Sequence, residues 1–320
     1  MDNYFRAVEA IGVMMSTFTS SSRRAMLAPL EGVSDVGFRA LCFKLGATFT
    51  WTEMVRASAV AKRNASTLDL IDCFDPETPT GIQLLAKSSD ELLAALTTLQ
   101  DLTSSSPAHA HFRHISAVDI NLGCPSIDII RIGGGPALLK RRTKLAAMFH
   151  ALASWKRTTK MTGVTAVGCK IRLGLNATEQ AQKVYLNVVG AAAEAGLDYV
   201  VVHARHAKQR SRDPPTWSAI TECHGAASSA CMPIFGNGDV TSRAEMDHMM
   251  AETGCSGVMV ARGAIWNPWV FKSLAGDTAG VTEHDCYPTV GEVEAAEQAY
   301  LQWGARVATK PKVRALSNVP

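Results

Sequence analysis

The feature that most constrains this chain is a repeated alternation of short apolar runs and amphipathic segments, which begins at Met26 and continues almost to the end. Three of the amphipathic segments carry apolar residues at three-to-four spacing, which predicts helices over Asp90–Leu99, Ala177–Ala195 and Arg243–Glu252. The apolar runs have the length of buried strands and lie at Met26–Leu30, Thr48–Thr52, Gly81–Leu85, Val118–Leu122, Val164–Ile171, Tyr199–His203, Pro233–Gly236 and Gly257–Ala261. Strands this apolar are typical of a parallel sheet that is covered on both faces.

Eight such strands separated by helices predict an α/β fold, a TIM (β/α)8 barrel whose sheet closes on itself. An open doubly wound sheet is the alternative, but no GxGxxG motif follows the first strand. The 320 residues have room for one barrel of about 250 residues and an appendage. We therefore expect a disordered, Ser/Thr-rich leader at 1–24, a barrel at 25–275, and a short, incomplete helical segment at 276–320.

Composition narrows the class of protein further. The 8 cysteines include no CxxC pair, which favours reduced thiols over a disulfide framework or a zinc site. No apolar run approaches the length needed to span a membrane, and a net charge of +3 does not by itself indicate nucleic acid. We therefore expect a monomer without a metal or a membrane segment, located in the cytoplasm, with mitochondria and the nucleus as alternatives.

Polar side chains stand at or near the predicted C-terminal end of almost every strand. In a parallel barrel these ends meet at one rim, which is where such barrels carry their ligand sites. Each polar residue has an ordinary structural explanation on its own, but their convergence on one rim points to a ligand. They are Glu53, Gln83, Asn121, Cys124, Lys170, His203, Asn237, Asp239 and Arg262.

The run DINLGCPS at 119–126 places a thiol at one of these strand ends. The predicted strand stops at Leu122, and Gly123 and Pro125 allow a sharp turn that presents Cys124. A buried, unreactive cysteine is the alternative for a single Cys in a chain that is 47% hydrophobic. The polar neighbours at the same rim favour a functional thiol.

The ends of the last two strands predict an anion site. Loops after the seventh and eighth strands of such barrels commonly bind phosphate through glycine backbone N–H groups. Gly236, Gly238 and Gly263 provide that backbone, and Arg262 provides a charge that can grip a phosphate with two hydrogen bonds. A phosphorylated ligand is therefore expected.

Two further strand ends suit a flavin. Lys170 can stabilise negative charge that develops on an electron-accepting ring. Gln83 offers both a donor and an acceptor, which matches the pyrimidine edge of a flavin. Together with the phosphate site and the thiol, these residues predict bound flavin mononucleotide (FMN).

A series of motifs, in this order and spacing, resembles the tRNA-dihydrouridine synthase family. The motifs are LAPLEGVSDVGFRAL, TWTEM, GIQL, DINLGCPS, GGGPALL, CKIRLG, VVHAR, IFGNGDV and VMVARGAIWNPWVF, and they cover most of 26–271. Members of this family are flavin enzymes with a barrel followed by a helical tRNA-recognition domain. By this resemblance the segment 276–320 is a partial tRNA-recognition segment.

The resemblance also implies an activity and a role for each matching residue. Reduction of the C5=C6 bond of uridines in tRNA would use NADPH as reductant, Cys124 as proton donor and Asn121 to place the uracil. One departure from the family pattern is Leu30-Glu31, where members more often carry Met and a small residue. The residues implied for FMN are Pro29, Leu30, Glu31, Gln83, Lys170, His203, Asn237, Gly238, Asp239, Ala261 and Arg262.

Basic residues after the sixth strand predict where RNA is met. Arg205, Lys208 and Arg210 follow that strand closely and could contact RNA phosphates. Two other functions stay open from the sequence. One is a flavin barrel of the dihydroorotate dehydrogenase type that acts on a free pyrimidine, and the other is a catalytically weak tRNA-binding protein.

Overall fold

The computed structural model describes residues 24–73, 75–227, 230–275 and 288–306. The predicted leader at 1–24 lies outside these residues except for Arg24, as does the first part of the predicted C-terminal segment. The strands are β1 (Ala25–Leu27), β2 (Thr50–Arg56), β3 (Thr80–Leu85), β4 (Ile115–Leu122), β5 (Ala166–Arg172), β6 (Tyr199–His203), β7 (Ile234–Asn237) and β8 (Val258–Val260).

These strands form one parallel sheet in the order β1-β8-β7-β6-β5-β4-β3-β2. Strand β1 pairs with β8, with Ala25 opposite Val258. On its other side β1 is joined to the segment that leads into β2, because Leu27 N donates to Phe49 O (2.9 Å) and Thr48 N donates to Ala25 O (2.8 Å). The sheet therefore closes on itself, and the predicted barrel is confirmed.

Helices connect the strands and cover the outside of the barrel. The predicted helix Ala177–Ala195 is two helices, because Lys183 has a φ of 51° and an α-helix cannot continue through a left-handed residue. Segments of 3-10 helix lie at Pro107–His114 and Gly135–Leu138. The α-helices are α1 (Val36–Lys44), α2 (Ala57–Ala61), α3 (Ala65–Leu68), α4 (Ser89–Ser105), α5 (Ile127–Arg131), α6 (Arg142–Thr158), α7 (Ala177–Ala181), α8 (Val184–Ala195), α9 (Ser218–Ala227), α10 (Arg243–Thr253), α11 (Arg262–Trp266), α12 (Val270–Ala275) and α13 (Val290–Arg306).

All eight predicted strands are present, but their ends differ from the prediction. Strand β2 continues to Arg56, so Glu53 lies inside the strand and not after it. Strand β5 likewise runs past Lys170 to Arg172. Strand β1 stops at Leu27.

Large aromatic side chains fill the barrel interior. Trp51 packs between Phe49 and Tyr199, with ring centroids 5.1 and 6.0 Å away. Glycines face the two largest rings, because a Cβ at Gly81 would lie 2.2 Å from Trp51 and a Cβ at Gly168 would lie 2.5 Å from Tyr199. This packing fills the barrel below the C-terminal rim, so that a ligand can enter from the rim.

The C-terminal helix α13 lies against α1 on the outside of the barrel. Tyr300 Oη donates a hydrogen bond of 2.7 Å to the carboxylate of Asp35. Ala296 packs with Leu41 and Trp269 in a small buried apolar cluster. The helix that the sequence predicts near the C-terminus is therefore present and docked on the barrel.

The described part of the chain carries neither a membrane-spanning helix nor a cluster of metal ligands. None of its helices is both long enough and apolar enough to cross a membrane. In the same residues, no three His, Cys, Asp or Glu side chains meet in a group that could hold a metal ion.

Candidate active site

A cavity of about 670 Å³ opens at the C-terminal rim of the barrel. This volume lies within the range of small-molecule and cofactor sites. The cavity contains every residue that the sequence assigns to the cofactor or to the reaction: Pro29, Leu30, Glu31, Gln83, Asn121, Cys124, Lys170, His203, Asn237, Gly238, Asp239, Ala261 and Arg262. The fold thus brings together residues from seven of the eight strand ends.

The β1–α1 loop forms one wall of the cavity and is held from beneath. Gly32 takes a positive φ of 74°, and its N–H donates to the carboxylate of Glu53. The hydroxyl of Ser34 accepts from Leu30 N (3.0 Å) and donates to Leu30 O (3.1 Å). Glu53, which the sequence places among the rim residues, therefore holds the loop that carries Leu30 and Glu31.

A buried chain of hydrogen bonds runs from the barrel interior to the thiol. Gln83 Nε2 donates to Asp119 Oδ1 (2.8 Å), and Asn121 Nδ2 donates to Gln83 Oε1 (2.7 Å). Asn121 Oδ1 then accepts from the backbone N–H groups of Gly123 (3.2 Å) and Cys124 (3.0 Å). The ladder places Gln83 opposite Asp119 on β3 and β4, so the strand register itself brings these groups together. The turn that carries the thiol is therefore fixed by side chains inside the barrel.

The thiol of Cys124 is half-buried and faces the cavity. Burial raises its pKa, and Glu31 adds to the effect, while Arg172 and Lys170 oppose it. A thiol with a raised pKa keeps its proton at neutral pH. Cys124 can therefore donate a proton to a ligand in the cavity.

The half-buried amine of Lys170 lines the cavity, and the buried carboxylate of Asp119 lies near it, outside the cavity lining. Burial lowers the pKa of Lys170, and Arg172 lowers it further, whereas the nearby Asp119 raises it. Burial raises the pKa of Asp119, and Lys170 opposes that rise. Burial therefore disfavours the charged form of each group, and each group favours the charged form of the other.

The rim of the cavity is positively charged. His203 has a pKa well below its ordinary value, first because it is buried and then because Lys170, Arg172, Arg205 and Arg262 surround it. Its ring is therefore neutral at physiological pH. An environment that repels a proton from histidine attracts an anion, which fits the predicted phosphate.

The loops after β7 and β8 form the cationic end. Gly238 has a φ of 129°, which favours glycine, and the amide of Asn237 donates to Met259 O at 2.7 Å. The carboxylate of Asp239 accepts hydrogen bonds from both Arg205 and Arg262. Asp239 can therefore offer an anion its backbone N–H but not its side chain, which already binds the two guanidinium groups.

The structure corrects the predicted role of Arg205. Only 1% of this residue is exposed, because its guanidinium binds Asp239 and the backbone oxygen of Asp213. It cannot meet RNA phosphates at the surface. Lys208 and Arg210 are exposed beside it and lie outside the cavity lining, so the predicted RNA contact remains a prediction for these two residues.

Several cavity or network residues were missed from the sequence, among them Asp119, Arg172 and Trp266. Asp119 and Arg172 stand two positions from Asn121 and Lys170 along their strands, so the strand period of two could have found them. Arg172 joins the thiol turn to the β6–α9 loop, because Nε donates to Gly123 O at 2.8 Å and another guanidinium nitrogen donates to the loop. Trp266 is 52% exposed at the cavity, and no sequence signal marks it.

The residues present fit a flavin mononucleotide. The cavity has a cationic end around Arg262, the half-buried amine of Lys170, and amide groups at Gln83 and Asn121. Each amide uses one of its N–H groups and its carbonyl oxygen inside the protein and keeps a second N–H for a ligand. A planar ligand with a phosphate at one end and polar ring atoms at the other matches this distribution.

Fold and site together define a (β/α)8-barrel protein with a positively charged cavity and a half-buried thiol at its C-terminal rim. The chain belongs to the dihydrouridine synthase (Dus) family, whose model matches residues 26–314. This agrees with the resemblance seen in the sequence.

Individual relatives and a solved structure agree with this placement. The chain is 30% identical over 275 residues to a probable tRNA-dihydrouridine synthase of Mycobacterium tuberculosis, covering 84% of this chain and 66% of that protein. It is 32% identical over 246 residues to a probable tRNA-dihydrouridine synthase of Treponema pallidum, covering 77% and 68%. The chain thus spans about two thirds of the length of these relatives. Its fold matches histamine dehydrogenase from Rhizobium sp. 4-9 with a TM-score of 0.54 at 12% identity, covering 77% of this chain and 45% of that one.

Proposed function

We propose that this chain reduces the C5=C6 bond of uridines in tRNA to give dihydrouridine, with FMN as bound cofactor and NADPH as reductant. The observation that carries the proposal is the presence of Cys124, Asn121 and Lys170 in one cavity with the cationic cluster at Arg262. Membership of the dihydrouridine synthase family supports the same substrate. A cytoplasmic location and a monomeric state stay predictions from the sequence.

The two ends of the cavity divide the work of binding. The cationic end, with Arg262 and the backbone of Gly238, would hold the phosphate of the flavin. Lys170 and Gln83 would lie beneath the ring system, where a cation balances charge that develops on it. When bound and reduced, the flavin supplies a hydride for C6 of the uracil.

Asn121 and Cys124, which line the cavity together, would place the uracil and provide the proton for the reduction. Asn121 fixes the turn at Gly123 and Cys124 with its oxygen, and its amide nitrogen has a second hydrogen for the uracil. The Cys124 thiol keeps its proton at neutral pH because burial raises its pKa. It can therefore protonate C5 on the side of the ring that faces it.

Replacing the thiol tests the proposal directly. We expect Cys124→Ala to retain bound flavin and to oxidise NADPH normally, because the phosphate and ring contacts are untouched. Formation of dihydrouridine in tRNA should fall by about 10²- to 10⁴-fold, the range expected when a general acid is removed. Flavin absorbance, NADPH consumption and mass spectrometry of digested tRNA give the three measurements.

Cys231 offers a matched control, since it is exposed and lies outside the cavity. Cys231→Ala should behave as the unmodified chain in all three measurements. Near-normal dihydrouridine formation by Cys124→Ala would remove the thiol from the mechanism. Turnover of free uracil or orotate in place of tRNA would point to the alternative, a barrel acting on free pyrimidines.

A further inference from the structure

We propose that Arg205 is a positioning residue for the phosphate end of the cavity and gives the site its preference for a phosphorylated flavin. It holds Asp239 and, through Asp239, places Arg262. This inference rests on the proposed function, because it concerns the cofactor of that same site. It assigns Arg205 to the cofactor and not to RNA.

Arg205 joins four segments of the rim. Its guanidinium grips Asp239 with two hydrogen bonds, and its Nε donates to Asp213 O at 2.8 Å. Its own carbonyl accepts from Leu173 N at 3.1 Å, in the loop after β5. Because Asp239 also binds Arg262, the loops after β5, β6 and β7 and the start of α11 all meet at this one residue. Almost none of it is exposed to solvent.

Asp239 adopts a backbone conformation that needs this support. Its φ is 54°, in the left-handed region that a residue with a side chain seldom occupies. The neighbouring carbonyl of Gly238 is held by Trp217 Nε1 at 3.0 Å. Two outside donors therefore fix consecutive residues of the turn that lines the cavity.

The charges explain why the cluster can hold a phosphate. Two guanidinium groups share one carboxylate, so the cluster keeps a net positive charge. Without Arg205, Asp239 would pair with Arg262 alone, and that pair would have no net charge for an incoming anion. The planar fork of arginine fits a bidentate carboxylate, whereas a lysine supplies a single point of charge. Arg205→Lys is therefore not expected to be a conservative change.

An alternative is that Arg205 merely supports the rim as a buried structural residue. The two roles differ in what they do to flavins with and without phosphate. A positioning role for the phosphate end affects binding of FMN and leaves binding of riboflavin unchanged. General support of the rim affects both flavins equally, since they share the ring system.

The experiment compares the two flavins on the full chain after its flavin has been removed. Binding of FMN and of riboflavin is titrated by quenching of flavin fluorescence. For Arg205→Lys we expect the Kd of FMN to rise about tenfold to a hundredfold, as for the removal of a charge-assisted hydrogen bond. The Kd of riboflavin should stay within about twofold of the original.

Further variants isolate the route through Arg262. In an Arg262→Ala background, Arg205→Lys should have little additional effect on FMN, because the group that it places is gone. Arg243→Lys is the matched control: this guanidinium pairs with Asp247 at 2.8 Å and is largely buried, but it lies outside the cavity. If Arg205→Lys does not fold, Arg205→Gln removes the charge but keeps a hydrogen-bond donor for Asp239, and it is judged by the same criterion.

Three outcomes would overturn the inference: an equal loss for both flavins, no loss for either, or fully additive effects of the Arg205 and Arg262 changes. Binding of neither flavin by the unmodified chain would contradict the proposed function as well. An unmodified chain that prefers FMN, together with an Arg205→Lys variant that keeps this preference, would contradict only the role of Arg205.

Discussion

At the scale of single residues, the least expected feature is a carboxylate at the base of the cavity. Asp119 is 1% exposed, yet it accepts hydrogen bonds from Gln83 and Tyr199 and lies close enough to Lys170 to raise the pKa of that amine. Asp119 also fixes the orientation of the amides of Gln83 and Asn121. Because its carboxylate accepts from Gln83 Nε2, the oxygen of Gln83 points to Asn121 and accepts from Asn121 Nδ2. One buried charge thus affects both the cation and the thiol turn.

Asp119→Asn should separate folding from function. Burial raises the pKa of Asp119, so the ionised form is costly, and the neutral amide should leave the thermal midpoint unchanged or higher. Turnover should nevertheless fall about tenfold, equivalent to about 1.4 kcal/mol. The reason is that the side-chain amide of Gln83 can now flip, since an Asn at position 119 can donate as well as accept a hydrogen bond. Loss of the negative charge also lowers the pKa of Lys170, so activity that requires the protonated amine should decline at lower pH than before.

Asp198→Asn serves as the control for this prediction. Asp198 holds Lys156 and the backbone of Val167 at the opposite end of the barrel. Its replacement should lower the thermal midpoint and leave the pH profile of turnover in place. A profile that does not move in Asp119→Asn would contradict the coupling between the carboxylate and Lys170.

Residue types and strand ends predicted the members of the cavity, but not how its arginines are used. Arg205 follows a strand within a run of basic residues, a pattern that is typical of an exposed cluster. Its burial depends on Asp239, which comes from a loop after the next strand and adopts a left-handed conformation. Such a contact follows from the closed fold and not from spacing within one segment.

At the scale of elements, the docking of α13 on α1 is the contact that joins the C-terminal segment to the barrel. The Asp35 carboxylate is used twice there, since it accepts from Phe38 N at the first turn of α1 and from Tyr300 Oη. Gly37 allows the approach, because a Cβ at this position would lie 2.8 Å from the Tyr300 ring. One residue thus caps one helix and anchors another.

Tyr300→Phe should loosen α13 while leaving α1 intact. We expect a loss of about 0.5–1.5 kcal/mol, the usual contribution of one hydrogen bond. Asp35→Ala should cost more, because it also removes the helix cap, worth about 1 kcal/mol. Hydrogen exchange of the two helices provides the measurement: faster exchange confined to α13 is expected for Tyr300→Phe. Equal exchange in the variant and the original would show that the apolar cluster alone holds the helix.

The order of elements was predictable, whereas several of their ends were not. Strand composition identified all eight strands, because parallel barrel strands are apolar on both faces. Glu53 can be buried inside β2 because the N–H of Gly32 donates a hydrogen bond to its carboxylate. The sequence does not show this contact, and a single charged residue after an apolar run predicts the end of a strand. The break at Lys183 has no helix-breaking residue to announce it, since lysine is a good helix former.

At the scale of the whole molecule, the exposed basic residues near the rim bear on RNA binding. Lys208 and Arg210 are exposed next to the cavity, and Arg142 and Lys144 are exposed at the start of α6. Helix α6 runs antiparallel to the strands, so its first turn lies towards the cavity rim and its last turn towards the opposite end. Exposed positive charge therefore lies on the side where a tRNA would approach.

Neutralising Lys208 and Arg210 to glutamine should weaken tRNA binding and reduce its dependence on salt. For every phosphate that is no longer neutralised, the slope of log K against log salt should become shallower by about 0.7–0.9. Flavin content and NADPH oxidation should not change, since neither residue lines the cavity. Filter binding of tRNA over a series of salt concentrations supplies the slopes.

Arg157 and Lys160 form the matched control pair, because they are exposed at the opposite end of the barrel. Their replacement by glutamine removes the same net charge and should leave the slope unchanged, apart from a small general loss of affinity. Equal slopes for the two double variants would mean that tRNA docks elsewhere on the molecule.

The way the barrel closes has a consequence for how the chain acquires its structure. Ala25 pairs with Val258, so the ladder that shuts the sheet joins segments from opposite ends of the barrel sequence. Contacts of such long range carry the largest loop-closure entropy and form late in folding. During synthesis, the segment through Val260 must leave the ribosome before the sheet can close. We therefore expect the cavity to be complete only once the sheet has closed, so that uptake of a ligand marks a chain that has finished folding.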